Sequence, residues 1–128
     1  MTIEEFRSML DDILEEIPEE YFVDLNGGVQ LIESSKLHPR SIGSELRIMG
    51  EYRRNGAMGR NIHIYYGSFM DMFGHLPASR LRERVRETVL HELMHHLESL
   101  AGYRDLEVED EVQMAKYLHG KKRSREYN

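Results

Sequence analysis

The sequence predicts a small α+β domain. An amphipathic helical pattern comes first, three strand candidates follow, and further helical segments complete the chain, so the order lacks the alternating βα units of a parallel α/β fold. The 128 residues suit one domain, because chains of this size bury a single core. We assign residues 1–120 to that domain and residues 121–128, which begin with two lysines and an arginine, to a basic C-terminal tail.

The first helix is predicted over residues 2–17. Thr2 can cap it, and Glu5 stands three residues later, which is the spacing of a capping box. Pro18 marks the end of the helix. Apolar residues recur at helical spacing and form one stripe: Ile3, Phe6, Met9, Leu10, Ile13, Leu14 and Ile17.

Three strands are predicted over residues 29–33, 46–53 and 61–66. The third is the clearest, because β-branched and aromatic residues alternate with polar ones. The intervening segment 34–44 is predicted to be a loop. Residues 55–56, an Asn-Gly pair, predict a hairpin-like connection between the second and third strands.

Three helices are predicted after the strands. The first covers residues 68–73, and the longest covers residues 79–101, with Ser79 as its cap and Gly102 as the residue that ends it. The last covers residues 105–119, where apolar residues again recur at helical spacing.

The longest helix carries an H-E-x-x-H motif, formed by His91, Glu92 and His95. At 100° per residue the two histidines lie about 40° apart around the helix axis and about 6 Å apart along it, so both can bind one metal ion. They fall outside a broad arc that is predicted to face the core. That arc consists of Val89, Leu90, Leu93, Met94, Leu97 and Leu100.

This motif predicts zinc-dependent hydrolysis. Zinc bound by two histidines lowers the pKa of its water towards about 7 and polarises a substrate carbonyl. Glu92 lies beside the pair but is rotated away from His91, so it is better placed to contact that water than to bind the metal. It would act as the general base and then pass the proton to the leaving amine.

The motif does not identify the third metal ligand. The chain has no cysteine, so a thiolate is excluded, and three acidic residues are the candidates. We favour Asp105, which follows Gly102 in a G-x-x-D arrangement that could turn back towards the metal. Glu98 lies on the same helix face but about 10 Å along the axis from His91, which suits an outer partner better than a ligand. Glu109 stands one turn into the next predicted helix.

The motif and its surroundings resemble the small bacterial zincin-like metallopeptidases, also described as minimal metalloproteases. The likeness rests on the H-E-x-x-H-H run with its following Leu at residues 91–97, the G-x-x-D element at 102–105, and the acidic helical opening at residues 3–6. Residues 98–101 look like a four-residue insertion, about one helical turn, which displaces Asp105.

That resemblance implies a zincin-like minimal domain. Its short three-stranded sheet would pack with the N-terminal helix, the H-E-x-x-H helix and a C-terminal helix. It also implies zinc as the cofactor and a role for each residue of the site: His91, His95 and Asp105 as ligands, and Glu92 as the catalytic base.

The expected partner is a peptide or protein substrate, which could pair with strand 61–66 by β-augmentation. The formal net charge of −6 argues against nucleic acid, since a duplex binder needs a basic face. No apolar run reaches the roughly 20 residues needed to span a bilayer, and the acidic start lacks the features of a signal peptide. We therefore expect a cytoplasmic protein without membrane contact.

Two rival functions stay open. In one, the chain is a catalytically silent metal-binding protein with an interaction or regulatory role. In the other, it hydrolyses an amide that is not a peptide bond. Glu92 favours an enzyme, because a purely structural metal site does not need a general base.

Overall fold

A computed structural model of the chain describes residues 1–43, 46–55 and 59–102. The predicted helix 105–119 and the tail 121–128 lie outside these residues. The helices are α1 (Ile3–Glu16), α2 (Tyr66–Phe73) and α3 (Ala78–Ala101), with a 3₁₀ turn at Glu19–Phe22. The strands are β1 (Gly28–Ile32), β2 (Lys36–Leu37), β3 (Arg47–Ile48), β4 (Gly50–Asn55) and β5 (Gly59–Tyr65). These elements confirm the α+β class.

The capping box of α1 is confirmed. The Glu5 backbone N–H donates to Thr2 Oγ1 at 3.1 Å, and the Thr2 backbone N–H donates to Glu5 Oε1 at 2.8 Å. These two bonds satisfy donors that the first turn of a helix leaves without partners. The apolar stripe behind them buries Phe6, Leu10 and Ile13.

The main sheet has three strands in the order β1-β5-β4. β1 pairs with β5 in parallel, Gly28 opposite Asn61, and β4 pairs with β5 antiparallel, Gly50 opposite Ile64. β5 is therefore the central strand, and its backbone already pairs on both sides. The prediction that strand 61–66 offers an edge to a substrate is wrong for this reason. Within the described residues, the sheet edge near α3 is formed by β4.

The predicted strand 46–53 is two strands that pair with different partners. β3 pairs with β2, Lys36 opposite Ile48, whereas β4 pairs with β5. Met49 lies between them, 2% exposed, at the point where the chain changes partner. β2 itself falls in the segment predicted to be a loop. A strand of two residues is too short to show the alternation of polar and apolar residues from which strands are predicted.

α3 begins one residue earlier than predicted and without a side-chain cap. Its N-cap is Pro77, so Ser79 lies inside the first turn and the prediction of a Ser79 cap is wrong. Proline suits this position because it has no N–H that needs a partner. Gly102 does end the helix, in an extended conformation, and its N–H donates to the Glu98 carbonyl oxygen at 3.2 Å.

The core lies between the sheet and the helices α1 and α3. It contains side chains from the three helices, from β5 and from the segments that adjoin these elements: Phe6, Leu10, Ile13, Ile17, Leu25, Met49, Ile62, Ile64, Phe69, Leu81, Val85, Val89 and Leu93. Ile62 and Ile64 cover one face of β5, while His63 and Tyr65 occupy the other. None of the helices in the described part of the chain has both the length and the apolar composition needed to cross a bilayer.

Candidate metal centre

The two motif histidines converge through their Nε2 atoms. His91 Nε2 and His95 Nε2 are 3.2 Å apart, and the two rings are nearly perpendicular at 89°. Two nitrogens bound to one tetrahedral zinc at about 2.0–2.1 Å stand about 3.3 Å apart. The same separation also allows a hydrogen bond between the two rings. The donor set and its spacing therefore fit one zinc ion.

Glu92 lies in the interior, 3% exposed. It belongs to a buried face of α3 that differs from the predicted arc by about a quarter turn. Met94, predicted to face the core, is 52% exposed, and that part of the prediction is wrong. The buried residues of α3 are both apolar and polar: Leu81, Val85, Thr88, Val89, His91, Glu92, Leu93 and His96.

Gly50 explains how β4 lies so close to this polar part of α3. A Cβ at position 50 would stand 2.7 Å from Thr88 Cγ2 and 3.3 Å from Glu92 Cγ. Real Cβ atoms do not tolerate the shorter distance, so only glycine fits here without a shift of Thr88. The start of β4 therefore lies directly against the side chain of Glu92.

His96 is fully buried and links α3 to two other segments. The Tyr52 hydroxyl is 2.9 Å from its Nδ1, and the Val23 carbonyl oxygen accepts from its Nε2 at 2.7 Å. One turn later, Arg54 NH1 donates to Ser99 Oγ at 3.2 Å. Sequence patterns missed this alignment of β4 with α3. A glycine inside a strand was the available signal, since it often marks close approach of another element.

Glu98 lies on the outer side of His95. Its Oε1 is 3.4 Å from His95 Nδ1, whereas His95 Nε2 faces His91. The structure therefore brings Glu98 to the nitrogen that points away from the histidine pair. The other two acidic candidates, Asp105 and Glu109, lie outside the described residues. Among the residues that are described, no group of three or more His, Asp or Glu side chains could hold a metal.

A second polar cluster occupies the opposite face of the sheet and centres on Glu51. Tyr65 donates to Glu51 Oε1 at 2.6 Å, Lys36 Nζ donates to both carboxylate oxygens at 2.9 Å, and Arg53 NH1 lies 3.4 Å away. Burial alone would raise the pKa of Glu51, but the bonds from Tyr65 and Lys36 and the nearby cations outweigh it, so that pKa is lowered.

The other titratable groups of this cluster shift in the sense that burial predicts. Burial and the bond to Glu51 raise the pKa of Tyr65, and burial together with the Arg53 charge lowers the pKa of His63. Since β5 directs these side chains away from α3, the cluster is separate from the histidine pair.

The chain is similar to known proteins in sequence and in fold. The family model described as zincin-like metallopeptidase matches residues 31–114. A solved structure described as a conserved hypothetical protein from T. thermophilus is similar with 37% sequence identity and a TM-score of 0.69. That match covers 78% of this chain and 97% of the other. No curated protein matches the sequence significantly.

Proposed function

Because this chain belongs to the zincin-like metallopeptidase family, we propose that it is a zinc-dependent peptidase whose metal is held by His91 and His95. The observation that carries the proposal is the 3.2 Å separation of the two Nε2 atoms, which fits two ligands of one tetrahedral zinc. Asp105, Glu109 or a neighbouring acidic residue would complete the ligand set, with Asp105 favoured by the G-x-x-D arrangement.

Glu92 is the proposed general base. When bound, zinc supplies Lewis acidity: it lowers the pKa of a water molecule and polarises the carbonyl of the scissile bond. Glu92 would accept a proton from the attacking water and pass it to the leaving amine. Its burial against Gly50 restricts the carboxylate to few orientations, which supports this role because proton transfer depends on position.

The proposed substrate is an extended peptide that pairs with the outer edge of β4. Met49 O accepts from Tyr65 N at 2.9 Å, so the alternation of an antiparallel ladder directs the main-chain groups of Tyr52 and Arg54 away from β5. Within the described residues no strand pairs with that edge. A peptide added there would run beside α3, on which Glu92 lies.

The test measures bound zinc and hydrolysis of a diverse peptide library for wild type, Glu92→Gln and Glu83→Gln. Glu92→Gln should keep its zinc and lose about 10²–10⁴-fold in turnover, because the amide cannot accept the water's proton. Glu83 is an exposed carboxylate on the same helix, so Glu83→Gln should match wild type. Full activity of Glu92→Gln would contradict the assigned role.

The same measurement separates the rival functions. Zinc binding by wild type without turnover on any library peptide would favour a metal-binding interaction or regulatory protein. Cleavage of simple amides, with no cleavage of peptides, would favour an amide hydrolase of another specificity.

A further inference from the structure

We propose that Glu98 is a positioning residue that keeps the proton of His95 on Nδ1 and so turns the Nε2 lone pair towards the metal. This inference rests on the proposed zinc site, since it assigns the residue that prepares one of its two histidines. The sequence leaves Glu98 open as a third ligand. The geometry instead places Glu98 beside His95 Nδ1, the nitrogen that does not face His91.

The two nitrogens of His95 face different partners. Nδ1 lies 3.4 Å from Glu98 Oε1, and Nε2 lies 3.2 Å from His91 Nε2. A neutral imidazole carries one N–H, and an ionised carboxylate only accepts. Glu98 therefore favours the tautomer with the proton on Nδ1. That tautomer puts a lone pair on Nε2, the nitrogen that faces His91, as in the carboxylate–histidine–zinc arrangements of metalloproteins.

The helix itself sets up this contact. Glu98 follows His95 by three residues inside α3, which continues to Ala101, and residues at this spacing are neighbours on a helix surface. The backbone therefore holds the carboxylate near the ring without any rearrangement. The Glu98 side chain is 41% exposed and that of His95 is 23% exposed, so solvent weakens the interaction but does not replace it.

The size of the effect follows from this exposure. Loss of an outer partner of a metal-binding histidine costs about 10–100-fold in metal affinity. A contact at 3.4 Å that is open to water belongs at the lower end of that range. We expect zinc affinity to fall about tenfold when the carboxylate is removed.

The first measurement reads the tautomer of His95 directly. Nitrogen-15 NMR of the metal-free protein at about pH 8, where an ordinary histidine is neutral, distinguishes a protonated Nδ1 from a protonated Nε2. Wild type should show the proton on Nδ1, and Glu98→Ala should shift it towards Nε2. Glu98→Gln should be intermediate, because its amide oxygen still accepts. Glu83→Ala, the same change at an exposed site on the same helix, should match wild type.

The second measurement is the zinc affinity of the same four proteins, by competition with a chromophoric chelator. Glu98→Ala should bind zinc about tenfold more weakly than wild type, and Glu98→Gln should recover part of the loss.

An unchanged tautomer and affinity in Glu98→Ala would overturn the proposal. Complete loss of zinc, together with a changed visible spectrum of the cobalt-substituted protein, would also overturn it by making Glu98 a ligand. Absence of zinc from wild type would instead contradict the proposed function, while the tautomer measurement still tests Glu98.

Discussion

At the scale of single residues, His96 shows how a buried polar side chain of this protein is held by specific partners. His96 is surrounded by protein, yet both of its ring nitrogens have an oxygen within 2.9 Å. These contacts matter because a buried polar atom without a partner lowers the free energy of unfolding by about 1–3 kcal/mol. Glu51, on the other face of the sheet, has comparable support from hydrogen bonds and neighbouring cations.

Glu51 should make stability depend on pH in the acid range. Its pKa is lower in the folded protein than its ordinary value, so the ionised carboxylate stabilises the fold above the ordinary pKa, and this contribution is lost as the pH falls through the lowered one. Glu51→Gln should reduce the free energy of unfolding near neutral pH by about 1 kcal/mol, the scale of partly exposed ion pairs. Urea unfolding at about pH 7 and about pH 3 checks this.

The difference between wild type and Glu51→Gln should shrink at the lower pH, because protonated glutamic acid resembles glutamine. Glu20→Gln, an exposed change, is the matched control and should alter little at either pH. An equal loss of stability at both pH values would show that charge at Glu51 does not matter.

At the scale of elements, the contact between β4 and α3 positions the candidate site. Gly50 lies against Thr88 and Glu92, Tyr52 contacts His96, and Arg54 reaches Ser99. The two elements therefore run side by side along most of the strand. Since α3 carries the histidine pair and β4 forms a sheet edge within the described residues, this contact would determine where a peptide bound at that edge lies relative to His91 and His95.

Gly50→Ala should destabilise the protein by overpacking. The new methyl group would stand 2.7 Å from Thr88 Cγ2, and overpacking of this kind costs about 1–3 kcal/mol. Thr88→Ser removes that Cγ2 and keeps the hydroxyl, which donates to the Arg84 carbonyl oxygen at 3.0 Å. The double variant should therefore recover much of the loss, as measured by chemical unfolding of all four proteins.

The unfolding free energies of the two single variants and the double variant can also contradict this explanation. If the free energies of the two single changes simply add, residues 50 and 88 do not interact, and the close approach of β4 to α3 would need another explanation.

At the scale of the whole molecule, local signals predict the elements and long-range pairing decides their arrangement. The capping box at Thr2 and the helical run around His91 depend on neighbours in sequence, so both can be read directly. The order of strands depends on which segments meet after folding. For that reason the sequence predicts β5 at an edge of the sheet, whereas it lies in the centre. Likewise, the segment 46–53 is predicted as one strand, whereas the structure divides it into β3 and β4.

Local sequence also fails to predict which face of α3 is buried. Counting apolar residues places Met94 in the core-facing arc and leaves His96 outside it. The structure exposes Met94 and buries His96, because β4 lies on the polar side and brings Gly50 and Tyr52 to it. Polar residues can be buried wherever a partner element satisfies them, and no pattern within α3 identifies that partner.

Calorimetric titration of zinc into the metal-free protein shows whether His91 and His95 hold one zinc ion. Wild type should bind one zinc per chain, and zinc at about 100 times its dissociation constant should raise the free energy of unfolding by about 2.7 kcal/mol. His91→Ala and His95→Ala should each lose both effects, while His75→Ala, at an exposed position between α2 and α3, should keep them. Wild type that binds no zinc, or histidine variants that bind it as well as wild type, would contradict the account.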